Sequence, residues 1–143
     1  MPDVNEQVNA VGLELTARGI AYDYADPADH SVIQIPFGGG DYSFNNVTIT
    51  VDFDEDGESA QLATSPIVHC PGDRTDQLLP ILNECNLTLR WAKFYLDDNN
   101  DIIADTDVVF GESDAGFAVV ESVMLAASVI DDAYPQIIKG IWN

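Results

Sequence analysis

LLPILNECNLTLRWAKFYLDDNNDIIADTDVVF, residues Leu78 to Phe110, decides the fold. It divides into a short helix, a strand, an acidic turn and a returning strand. Leu78, Leu82 and Cys85 recur at helical spacing with Ile81 beside them, while Gln77, Asn83 and Glu84 face away. Thr75 or Asp76 caps the start. Pro80 falls about a turn in, where proline costs less than at a helix centre. Asn86, tolerant of the left-handed conformation, ends the helix. The strand follows at once, with Leu87, Leu89, Trp91, Lys93 and Tyr95 on one face and Thr88, Arg90, Ala92, Phe94 and Leu96 on the other. Apolar bulk on both faces places it centrally in a sheet. Asp97-Asp98-Asn99-Asn100-Asp101 supplies turn chemistry through side chains that bond nearby backbone amides. Ile102, Ile103, Val108, Val109 and Phe110 mark the return. No residue in the stretch announces a catalytic role.

Outward from this centre, Val4, Val8, Val11 and Leu15 give an amphipathic first helix that Gly19 ends. Ile20 to Tyr24 reads as an extended segment. Asp26-Pro27-Ala28-Asp29 is a turn, and His30 to Phe37 is the first strand. Gly38-Gly39-Gly40 is a loop. Val47, Ile49, Val51 and Phe53 alternate with Thr48, Thr50, Asp52 and Asp54 in a half-buried strand. Glu55-Asp56-Gly57 turns it back into a strand from Ser59 to Val68, where Pro66 makes the far end an edge. The last helix opens at Ser113 or Asp114. It carries Phe117, Val120, Met124, Ala127, Ile130, Tyr134, Ile137 and Ile141 at spacings of three or four, and Pro135 is expected to kink or restart it. The order is α-β-β-β-α-β-β-α: an α+β domain, residues 1–143, with a largely antiparallel five-stranded sheet packed by helices.

The helix Leu78–Asn86 with Asn83 and Asn86, and the aromatic strand of Trp91, Phe94 and Tyr95 closing on Asp97, resemble the core of the YbjN-like family of bacterial sensory transduction regulators. The order of elements extends the resemblance over nearly the whole chain. It implies a fold like that of the type III secretion chaperones, a homodimer, and no catalytic residues to transfer.

Twenty-five acidic against five basic residues give a net charge of −20, on a chain whose 46% hydrophobic content still argues for a folded core. A chain lacking Lys/Arg clusters cannot replace phosphate counterions, so nucleic acid and anionic membranes are excluded as partners. The acidity reads first as a solubilising surface. A high-salt habitat and an acidic face for a basic partner are the alternatives. The polar, acidic start lacks the pattern of a signal peptide and no apolar run suffices to span a bilayer, which points to the cytoplasm. Cys70 and Cys85 then read as reduced, buried, small apolar residues.

Asp52 to Gly57 resembles the opening of a calcium loop, which needs a closing Glu at its twelfth position. Ala63 stands there; for Asp97 to Asp101 it is Val108, and Ile102 replaces the glycine. Both segments read as turns. His30, His69, Cys70 and Cys85 lack the paired spacing that pre-assembles a zinc site. Gly38 to Gly40 leads into a strand, not a helix N-terminus, and carries Asp41 where a phosphate loop needs a cation. Arg90 and Lys93 are expected to pair with carboxylates. No metal or cofactor is expected.

The reading favoured is a non-catalytic protein-binding or regulatory module. The first helix (Val4, Val8, Val11) and the central strand (Trp91, Phe94) are candidates to meet a partner. The plainer reading of each is core, and for Trp91 as core, truncation would cost about 3–5 kcal/mol. The competing reading is a small ligand-binding domain or enzyme with a pocket near His30, His69 and Arg90. A dimer contact is expected on the Leu78–Asn86 helix and the strand after it, where Glu84 is the only acid before Asp97.

Overall fold

The computed structural model describes residues 3–143. Its elements are α1 (Val4–Ala17), β1 (Asp23–Asp26), β2 (Asp29–Phe37), β3 (Val47–Phe53), β4 (Ser59–Thr64), β5 (Val68–His69), a 3-10 turn (Gly72–Arg74), α2 (Thr75–Thr88), β6 (Lys93–Leu96), β7 (Asp101–Val109) and α3 (Ala115–Trp142). Asp3 caps α1 by accepting from the amide of Asn5 at 3.0 Å. Gly19, at φ 71°, turns the chain out of the helix while Ile20 N–H bonds back to Leu15.

The sheet is antiparallel throughout, in the order β1-β2-β3-β4-β7, with β6 on the far flank of β7. It has seven strands where five were expected. One addition is β1, a short pairing with β2 formed at the end of the expected extended segment. The other comes from Pro66. The Ser59–Val68 strand breaks there, then resumes along the same flank of β7: Ala63 pairs with Asp105, and Val68 with Ile102. Proline cannot donate to the ladder, so the strand bulges around it.

One face of the sheet is buried and the other is not. Ile33, Ile35, Ile49, Val51, Ala60, Leu62, Ile102, Ala104 and Val108 point into one contiguous core. Gln34, Thr50, Asp52, Gln61, Asp105 and Asp107 alternate with them on the outer side. All three helices cover the inner face: α3 crosses it, packed between α1 and α2. Its buried stripe includes Val119, Val120, Val123, Ala127, Ile130, Ile137 and Ile141. Phe117, expected on that stripe, is largely exposed, with the Arg18 guanidinium 5.7 Å from its ring centre. Gln7, the one buried polar side chain among the described residues, bonds Ala115 N–H at 3.3 Å and the Ser113 carbonyl at 3.4 Å, tying α1 to the start of α3.

α3 runs without a break through Pro135. Proline there leaves the carbonyl four residues back, that of Asp131, without its helical donor. The Ser43 hydroxyl supplies one at 2.9 Å, and the Ser43 amide bonds the Asp131 carboxylate at 2.5 Å. The glycine loop after β2 is therefore a clasp on α3. It buries Phe44 beside Tyr134, with ring centres 6.2 Å apart.

The decisive stretch differs most from expectation. α2 does not stop at Asn86 but continues to Thr88. The strand after it is four residues long and marginal, and β7, flanked on both sides, is the central one. Leu87 is 73% exposed and Trp91 47% exposed, so neither belongs to a covered sheet face. Trp91 sits at φ 77°, which ends any extended run before β6 begins.

Candidate protein-docking surface

The surface around β6 is assembled from the end of α2 and the turn that follows it. Asn86 is the organiser. Its side-chain amide donates to the Phe94 carbonyl at 2.9 Å and accepts from the Phe94 N–H at 2.8 Å, so one amide group stands in for a neighbouring strand. The helix end is closed by Lys93, whose ammonium bonds the carbonyls of Asn86 at 2.8 Å and Leu89 at 3.3 Å, complementing the negative end of the helix dipole. Arg90 lies over the Trp91 ring at 4.2 Å from its centre. Among the described residues neither cation forms the pair with a carboxylate that was expected of both. Both are held by the α2–β6 corner, and the result is an exposed indole braced by a guanidinium.

On the outer face of the sheet, Tyr95 stands opposite Ile103 and Lys93 opposite Asp105. Burial pushes the Tyr95 phenol up from its ordinary value, with the Asp105 carboxylate adding to the shift. The next positions along β7, Asp107 and Val109, lie beyond the end of β6, and Val109 is 83% exposed.

A second concavity, of about 530 Å³, lies between α2 and the end of α3, lined by Pro80, Ile81, Glu84, Gln136 and Lys139 among others. Gly140 permits this close approach: a Cβ there would fall 2.1 Å from Ile81 Cδ1. Two of the last carbonyls of α3 are already satisfied, since Gln77 Nε2 bonds Gly140 at 2.7 Å and Arg74 Nη1 bonds Ile141 at 3.0 Å. Cys85, beneath the groove, has its thiol pushed up by burial and by Glu84.

Of the residues expected to meet a partner, Val8, Val11 and Phe94 are buried in the core, because α1 and β6 turn those positions toward α3 and the sheet's inner face. Val4 is half-buried and packs on the same core. Trp91 is the exception and lies at the surface. The competing pocket does not form. His30 stacks on Tyr24 at the β1–β2 margin, His69 bonds Asp101 at 2.9 Å beyond β4, and Arg90 occupies the α2–β6 corner. All three are exposed, and the breadth of the sheet separates the first two. The reading missed Asn86 as an edge cap and the exposure of Leu79, Leu87 and Val109. An Asn eight residues before its partner Phe94 carries no periodic signal.

The family described as "YbjN: Putative bacterial sensory transduction regulator" matches residues 10–139. No curated protein matches the chain. The crystal structure of YbjN from E. coli is similar over 90% of this chain and 91% of its own, with a TM-score of 0.59 at 16% identity. A chain of the heterodimeric ExoU–SpcU complex from the type III secretion system of Pseudomonas aeruginosa is similar over 91% of this chain and 96% of its own, with a TM-score of 0.56 at 8% identity. At these identities the likeness is one of fold, and the α+β fold related to YbjN and to a type III secretion protein is the one expected.

Proposed function

The chain belongs to the YbjN family, and from that premise we propose that it works as a non-catalytic, protein-binding regulatory module of the bacterial cytoplasm. The observation that carries this reading is Trp91. A large aromatic is exposed on a strained backbone and braced by Arg90, while the core is complete without it. Trp and Arg are enriched among the few residues that carry most of the binding energy at protein interfaces. One chain of a two-protein complex sharing the fold agrees with this role. The test is crosslinking in a bacterial host from a photoreactive residue at position 91, with position 55 in the β3–β4 turn as control. A discrete adduct at 91 alone supports the reading. Identical patterns at both positions would remove it.

A second copy is proposed as one partner. Leu79, Asn83 and Leu87 form an exposed line along α2, two of them apolar, with no carboxylate on that line. A stable pair needs on the order of 1,600 Å² of buried surface. Light scattering after size exclusion should give a dimer mass at low and moderate salt, and a monomer for the double variant Leu79→Glu, Leu87→Glu. A wild-type monomer in both salts would exclude the pair.

A further inference from the structure

Three margins of the sheet differ in what they leave unpaired. The first is β1, which is four residues long, carries Asp23 and Asp26, and is bulged between Tyr24 and Asp26. Short, charged, irregular margins resist added strands. The second is β6, four residues long, whose outward-directed Phe94 amide and carbonyl are both taken by Asn86, which leaves Leu96 as the one further residue facing that flank. The third is the part of β7 that outruns β6. Because β6 pairs only with Ile102 to Asp105, the backbone groups of Asp107 and Val109 on that flank find no partner among the described residues. The alternation is fixed by the register: Phe94 faces away from β7, so Lys93 and Tyr95 face Asp105 and Ile103, and the next groups on that side belong to Asp107 and Val109. Were β6 longer, Trp91 would stand opposite Asp107; at φ 77° it turns the chain aside and leaves the place vacant.

We infer that this stretch of β7 receives an extended, basic segment of another protein as an added strand, in line with β6. The inference rests on the protein-binding reading above. Charge selects the occupant. Asp105 and Asp107 lie on the outer face beside the vacancy, with Asp52 in the same row as Asp107 through Gln61. Among the described residues, none of the three carboxylates takes part in an ion pair. A second copy paired here would bring Asp105 and Asp107 of both chains onto one face, and facing like charges destabilise a strand pair. A Lys or Arg opposite Asp107 is favoured instead, with an apolar residue opposite Val109. Backbone bonds supply the affinity and the alternate side chains the selectivity.

The probe is a seven-residue acetylated and amidated peptide of alternating Val and Lys. Its partner in the experiment is the same peptide N-methylated on the amides of one margin, with charge unchanged. At about 0.15 M salt, where long-range attraction is screened, the first should slow hydrogen exchange at the amides of Asp107 and Val109, and the N-methylated one should not. Asp107→Lys should weaken binding by about tenfold or more, as loss of a complementary charge does. Val109→Pro, which removes an amide with no internal partner, should abolish the added protection while the melting temperature holds. Equal binding of the N-methylated peptide, or changes centred on the α2–α3 groove, would overturn the inference. An adduct at position 91 in cells together with an unresponsive β7 would leave the module reading standing and remove this one.

Discussion

Trp91 and Phe94 are three positions apart and opposite in fate. Periodicity predicted both as sheet residues; it could not predict that Trp91 adopts a positive φ, because nothing in an indole favours that conformation. The backbone is held there by its neighbours, Ala92 buried on one side and the α2 end on the other. Trp91→Ala should therefore change stability by no more than about 0.5 kcal/mol, as exposed positions do, and not by the loss that a buried aromatic would give. Trp91→Gly should stabilise by up to about 1 kcal/mol, since a non-glycine residue in the left-handed region stores strain. Phe94→Ala should cost about 3–5 kcal/mol. Urea unfolding of the three variants separates these outcomes. The cysteines were legible: both are free and buried, and burial pushes both thiols up. Native protein at pH 7 should react with a thiol reagent only as fast as it opens, and unfolded protein at once.

At the scale of elements, helix α1, the β2, β3 and β7 strands and the course of α3 follow their hydrophobic spacing closely. What spacing cannot show is a bond made from a distance. Pro135 argued for a kink, and the helix stays regular because Ser43 reaches across from the loop after β2. That compensation can be measured. Ser43→Ala should cost about 0.5–1.5 kcal/mol, the net worth of one hydrogen bond at a solvent-accessible site. In the Pro135→Ala background the alanine N–H takes the Asp131 carbonyl, so the same change should cost less. A double-mutant cycle reads the difference as a coupling energy, and additive effects would show that the clasp does not compensate the proline. The end of α2 is the same lesson at Asn86. A residue that favours helix termini was predicted to stop the helix, whereas its side chain is taken up by Phe94 and the helix runs on.

For the whole molecule, composition predicted acidity and a real core together, and the fold reconciles them by putting carboxylates on the outer sheet face and the loops while three helices close the inner face. Ion pairs among the described residues are few, so the −20 acts mainly as self-repulsion. Monovalent salt should raise the melting temperature by screening it, and calcium at matched ionic strength should add little. A calcium-specific rise at micromolar concentration would mean that the acidic turns hold a cation. The proposed docking surface was hardly legible, because it depends on where β6 ends relative to β7, a difference in strand length that no single stretch contains. The position of α3 has a further consequence. It is the cover on which α1 and α2 both pack, and it is synthesised after every strand. On the ribosome the sheet must wait, its inner face wet, until some thirty more residues have emerged. The sheet is thus most exposed to proteases and to its own kind in the interval between the synthesis of β7 and that of α3, and a message truncated before Ala115 yields a sheet without the helix that crosses its inner face.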